Sequence, residues 1–245
     1  GPELLPVLEE YGFEWCAVND TTYCCLSPEP PKSHIAQCGS LKVLLRSSLW
    51  SEALIGAARS GSSGSELALR MMGGLDDWFG DEPGYVVLAM DTECFGLHRR
   101  GSLECLRDFL ATVSSSDKFE LAQPSELLER FPAEPDEVPP GTWRTTGDQF
   151  WEGEFFVPWQ SRYSQAHSYL WELTELAVES VAKLQERLDR SLHSGFFWWD
   201  DDSSRALPSS TARGLRTLLD VIAAAAPEDL DRALELAARL DDVTT

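Results

Sequence analysis

The sequence is poor in basic residues, in histidine and in long apolar runs, and each shortage removes a class of function. Lysine and arginine together number 20 against 41 aspartates and glutamates, for a formal net charge of -21. A surface of that sign repels phosphate backbones and anionic lipid headgroups, so neither nucleic acid nor a membrane surface is expected as a partner. No apolar stretch approaches the roughly 20 residues that span a bilayer. The first residues, Gly1 to Pro6, have neither a basic start nor the apolar run of a secretory signal, which points to a cytoplasmic protein. The four histidines, His34, His98, His167 and His193, form no close pair. The six cysteines, Cys16, Cys24, Cys25, Cys38, Cys94 and Cys105, contain no Cys-x-x-Cys spacing. Zinc ligation favours closer, paired spacing, so the thiols are expected to be reduced and neither metal nor other cofactor is expected.

What is present is a core-forming composition. Hydrophobic residues make up 43% and aromatics 10% of the chain, far from a disordered composition. Nine tryptophans offer flat faces that serve either core packing or sugar stacking. Apolar spacing predicts a helix over 3–14, ended by Gly12, and a strand over Phe13–Val18. Residues 19–40, with Pro28, Pro30, Pro31 and Gly39, read as loop, and Leu41–Arg46 as a second strand. Helices are expected over 48–58 and 65–79, joined by a Ser/Gly connector. Tyr85–Met90 is the strongest strand signal, a helix follows near 102–114, and Phe119–Ala122 reads as a last strand.

Prolines 132, 135, 139 and 140 among acids mark a linker over 132–141, dividing a β/α portion (1–131) from a helical region (142–245). In the latter, an amphipathic helix is expected over 163–193, followed by helices over 208–225 and 227–241. The fold class is therefore α/β, with β/α units first and a helical bundle second, and no internal repeat.

Parallel α/β sheets place ligands at the carboxyl ends of their strands. Asp91 and Glu93 stand at such an end, directly after the strongest strand. Like charges held close favour a proton on one of the pair, which is what a general acid requires. Two solvated acids leading into the next helix fit the same spacing.

The run Val86 to His98, holding Asp91-Thr92-Glu93-Cys94-Phe95-Gly96-Leu97-His98, resembles the Asp-x-Glu-x-Phe-Gly-x-His motif of glycoside hydrolase family 57. The resemblance implies a partial (β/α)7-type barrel with a helical C-terminal region, and a retaining hydrolase or transglycosylase acting on α-glucans. It implies Asp91 as general acid/base, with Glu93 and His98 lining the site. It extends to Leu41–Ile55, which places Arg46 at the rim as a substrate contact, and to Phe196-Phe197-Trp198-Trp199, which offers Trp198 and Trp199, with His193, as a stacking platform. The implied partner is an oligosaccharide or polysaccharide. Leu97 departs from the family, whose members often carry a polar group there.

A retaining glycosidase needs a second carboxyl group about 5–5.5 Å from the first. In the family this nucleophile is a Glu on an earlier strand, in a Pro-Glu context. Pro2-Glu3 offers that context, yet Glu3 precedes Gly12 by only nine residues and no strand precedes it. Glu3 stands as candidate nucleophile beside its reading as a helix start. Early barrel strands are missing from the pattern, so an N-terminal half or a partner chain is expected to complete the barrel. The alternative is a sugar- or partner-binding module without the nucleophile.

Overall fold

The structure is a computed structural model that describes residues 1–96, 99–179, 185–192, 195–198 and 209–244. The chain divides into two compact units, Gly1–Phe150 and Trp151–Thr245.

The first unit opens with a 3-10 turn, Pro2–Leu4, that runs into α1 (Leu5–Glu10). Strand β1 (Trp15–Asn19) leads into α2 (Asp20–Leu26). Next come β2 (Ile35–Cys38) and β3 (Leu41–Arg46), then α3 (Ser48–Ser60), α4 (Gly64–Phe79) and α5 (Ser102–Ser114). The unit continues through α6 (Pro124–Arg130) and β4 (Ala133–Pro135), and α7 (Gly147–Trp151) crosses into the second. The four strands form one sheet in the order β1-β3-β2-β4. β1 pairs parallel with β3, β2 antiparallel with β3, and β4 parallel with β2.

The caps are local. Ser47 and Ser63 accept from the amides of Trp50 and Glu66 at the starts of α3 and α4, and Gly61 ends α3 at φ 76°. These helices and α5 bury one core: Leu54, Ala58, Leu67, Ala68, Met71, Leu75, Phe109 and Val113, with Val86, Leu88 and Met90 packed against it.

Gly64 is where α4 meets α5 at backbone distance. A Cβ there would collide with the Cys105 carbonyl oxygen and stand 2.9 Å from the Phe109 backbone nitrogen. Backbone cannot yield as a flexible side chain can, so Gly64→Ala is expected to cost about 1–3 kcal/mol, measured by urea unfolding.

The structure departs from expectation at four segments. Residues 19–40 contain α2 and β2, whose partners lie far along the chain: the Tyr23 hydroxyl donates to Asp136 Oδ2 at 2.6 Å, and β2 bonds to β3 and β4. Tyr85–Met90 is extended but joins the sheet through a single parallel bridge, Arg46↔Val87. The cause is competition, since β2 folds back along β3 opposite Leu41–Val43 and leaves only the end of β3 free. Phe119–Ala122 belongs to no strand. The segment expected as a linker, 132–141, carries β4, and its Val138 is buried beside Tyr23 and Ala36. The division between units falls later, at Phe150 and Trp151.

Tyr23 and Tyr85 are both buried, and Tyr85 donates to the His34 carbonyl at 2.9 Å. Burial pushes both phenols up to about 12, reinforced at Tyr23 by its hydrogen bond to Asp136. An ordinary phenol ionises near about 10, so the fold favours the protonated form of each. That contribution to stability is whole below about pH 10 and is lost as pH climbs toward about 12. Ultraviolet difference titration should show two late phenols in the wild type and one in Tyr23→Phe.

In the second unit, 152–164 are turns and irregular chain, and the regular structure described after them is helical: α8 (Gln165–Glu179), α9 (Gln185–Ser191), α10 (Gly195–Trp198), α11 (Ser209–Ala225) and α12 (Leu230–Thr244). Leu173, Leu176, Ala177, Leu188, Leu218, Val221, Ile222, Ala233 and Leu236 form its core. The helix expected over 163–193 is represented by α8 and α9, and 180–184 lie outside the described residues. No described helix is long and apolar enough to cross a membrane.

Candidate functional site

The carboxyl ends of β1 and β3 collect the polar residues of the first unit. β1 ends in Asn19, followed by Asp20, and β3 ends in Arg46. Asp20 Oδ1 accepts from the Ser48 backbone N–H at 3.0 Å and from its hydroxyl at 2.5 Å, tying the end of β1 to the start of α3.

Arg46 is the hub, with only 7% of its surface exposed. Its Nε donates to the Ala89 carbonyl at 2.6 Å, its Nη1 to Asn19 Oδ1 at 2.7 Å and its Nη2 to Glu52 Oε1 at 2.7 Å. One guanidinium thus joins β1, α3 and the segment leading to Asp91. Its counter-ion reaches solvent, the Glu52 side chain being 56% exposed.

Asp91 is exposed and opens a 3-10 turn, Thr92–Cys94, whose Cys94 amide donates back to the Asp91 carbonyl at 3.1 Å. Glu93 is exposed on that turn and Cys94 is buried. Burial chiefly pushes the Cys94 thiol above its ordinary range. The Arg59 guanidinium opposes the rise, and the charges of Asp91, Glu93 and Glu52 add to it. Three carboxylates therefore lie within electrostatic reach of one thiol.

Of the expected site residues, Arg46, Asp91 and Glu93 share this edge. Glu3 is exposed in the 3-10 turn before α1 and belongs to no strand. α1 is fastened at the opposite end of β3, where Glu9 Oε1 accepts from the Ser40 backbone N–H at 2.5 Å. Leu97, His98, His193 and Trp199 lie outside the described residues; Trp198 ends α10, its side chain undescribed. Among the described residues no group of three or more His, Cys, Asp or Glu is arranged to hold a metal ion.

Sequence reasoning missed Asn19, Asp20, Ser48, Ser51 and Glu52. A signal existed for the first pair, since Asn19-Asp20 follows an apolar strand as Asp91 does. For Glu52 the signal was an acid early in a helix, six residues after a strand-ending Arg.

No protein-family model matches the sequence, and no curated protein matches it. A solved structure does. The fold is similar to part of a GH57-type branching enzyme from the hyperthermophilic archaeon Pyrococcus horikoshii. The TM-score is 0.54 at 15% identity, over 98% of this chain and 56% of that one. At this identity the likeness concerns the fold, and the chain spans little more than half the length of the enzyme chain it matches.

Proposed function

We propose that this chain is the later portion of a GH57-type, α-glucan-active protein, a glycosidase or transglycosylase with a retaining two-carboxylate mechanism and Asp91 as general acid/base. One observation carries the reading. In a fold similar to that of a GH57-type branching enzyme, the Asp91-Thr92-Glu93 motif stands just past the segment that runs parallel to the end of β3. Glycosyl transfer needs a proton donor at the leaving oxygen. Asp91 is exposed and its neighbour Ala89 is fixed by a buried Arg, an arrangement suited to that task. Glu93, His98, Trp198 and Trp199 are proposed as sugar contacts. The test is turnover of maltooligosaccharides by the wild type and by Asp91→Asn, and an unchanged rate in the variant refutes the role.

Within this reading the first unit is part of a (β/α)7-type barrel, and further β/α structure, from the same polypeptide or a partner, covers its open side. Support comes from β1, which pairs only with β3 among the described residues, and from Leu4, Val7, Tyr11 and Phe13, exposed by 53, 44, 77 and 56%.

A second reading is favoured by the place of Glu3, off the strands and exposed. Without a nucleophile, the chain is a sugar- or partner-binding module. Calorimetry with maltooligosaccharides, run beside a turnover assay, separates the two: heat of binding with no product is the module's outcome, and product from this chain alone excludes it. Glu3→Gln and Glu52→Gln in the same assay identify which carboxylate works with Asp91.

A further inference from the structure

We propose that Arg46 is a positioning residue, with Ser51 as its second anchor, and that the two hold the Asp91 motif in place through Ala89. The proposal rests on the reading of Asp91 as the working acid, but the anchoring can be measured without any turnover.

The segment before Asp91 changes its mode of attachment along its length. Within a sheet, a strand's amides and carbonyls are held by neighbouring backbone, so its course is insensitive to single side chains. Tyr85–Met90 begins that way: the Tyr85 amide donates to the Lys32 carbonyl at 3.0 Å, and the Ser47 amide to the Val87 carbonyl at 2.8 Å. At Ala89 the pattern changes. Its carbonyl accepts from Arg46 Nε at 2.6 Å, and its amide donates to Ser51 Oγ at 3.2 Å. Both polar groups of the last held residue before the motif are thus bound by side chains. Ser51 is fully buried and Arg46 nearly so, so water cannot readily replace either partner.

The remaining arms of Arg46 explain the choice of Arg. Nη1 and Nη2 are fixed by Asn19 of β1 and Glu52 of α3, which leaves Nε aimed at Ala89. A planar guanidinium can satisfy three acceptors in a rigid fork, and a lysine ammonium cannot reproduce that geometry. Because each nitrogen of Arg46 donates to a protein oxygen, its contribution is to Asp91's position. Only Met90 separates Ala89 from Asp91, so a shift at Ala89 displaces the carboxylate directly, and misplacement of about 1 Å is enough to slow chemistry.

The experiment is hydrogen exchange of the full chain read by mass spectrometry, with a peptide covering 86–95 as reporter and one covering 67–75 in α4 as control. Arg46→Lys and Ser51→Ala are expected to speed exchange in 86–95 by about tenfold or more, the cost of one lost bond to a charged or buried partner, and to leave 67–75 unchanged. In Arg46→Ala, millimolar guanidinium is expected to restore protection in 86–95, a rescue that general loosening of the fold does not give. On maltooligosaccharides, Arg46→Lys is expected to lower kcat and leave KM within about twofold, as for a group that acts on the geometry of the acid. Unchanged exchange at 86–95 in both Arg46→Lys and Ser51→Ala overturns the anchor, as does equal acceleration at 67–75. Faster exchange at 86–95 in the two anchor variants, with no turnover by the wild type, upholds the anchor and removes the reading of Asp91. Turnover lost in Asp91→Asn, with exchange unchanged in the two anchor variants, does the reverse.

Discussion

Asp91→Asn is expected to lower the rate on maltooligosaccharides by roughly 10²–10⁴-fold, the usual contribution of a positioned general acid. The change keeps the size and planar shape of the side chain and removes the transferable proton. It should leave the fold intact. Asp91 is exposed, and the bond that closes its turn is made by its backbone carbonyl, which Asn retains. Surface substitutions of this kind usually stay within about 0.5 kcal/mol of the wild type. An initial-rate assay, paired with a urea unfolding curve, therefore separates lost chemistry from lost structure. A fall in rate with an unmoved midpoint is the expected result. A rate within about twofold of the wild type, at the same stability, sinks the general-acid role.

Phe109→Ala is expected to cost about 3–5 kcal/mol, the range for removing a buried aromatic from a close-packed core. Phe109 is 2% exposed and lies among residues of α3, α4 and α5. Its loss leaves a void bounded by helices that cannot readily close, because α4 and α5 already touch at Gly64. The urea midpoint should fall with little change in slope. The effect bears on function, because α3 supplies Ser51 and Glu52 and packs on this core. A loss below about 1 kcal/mol would mean that the three helices repack freely.

What could be read in advance divides by range of interaction. The helices α3, α4 and α5 were legible because their periodicity and their caps, Ser47, Ser63 and Gly61, are local. β3 was legible to the residue, as a short apolar run between a turn and a capped helix. α2 and β2 were not, because Tyr23 finds its hydroxyl partner 113 residues away and β2 owes its direction to the sharp turn at Gly39. Tyr85–Met90 reads as a strand for its apolar content. Apolar content reports burial, not whether a neighbour has free backbone to offer, and β2 had already taken the first half of β3, Leu41–Val43. At the site, Asp91, Glu93 and Arg46 carried chemical signals of their own. The fork from Arg46 to Asn19, Glu52 and Ala89 joins residues spread over 70 positions, and no spacing rule reaches that far.

The two borders of the sheet differ in what they offer an incoming strand. Just outside the ends of β4 the Pro132 carbonyl and the Asp136 amide bond to β2, so Ala133 and Pro135 turn their backbones outward. Pro135 has no N–H, and a strand seeking to extend the ladder on that side meets a missing rung. β1 carries no proline, and its outer backbone can accept a neighbour along its length. The sheet is thus polarised: lateral growth, whether into a closed barrel or into an unwanted aggregate, has one permitted direction, and a proline placed at Ala17 would test whether that border is in use.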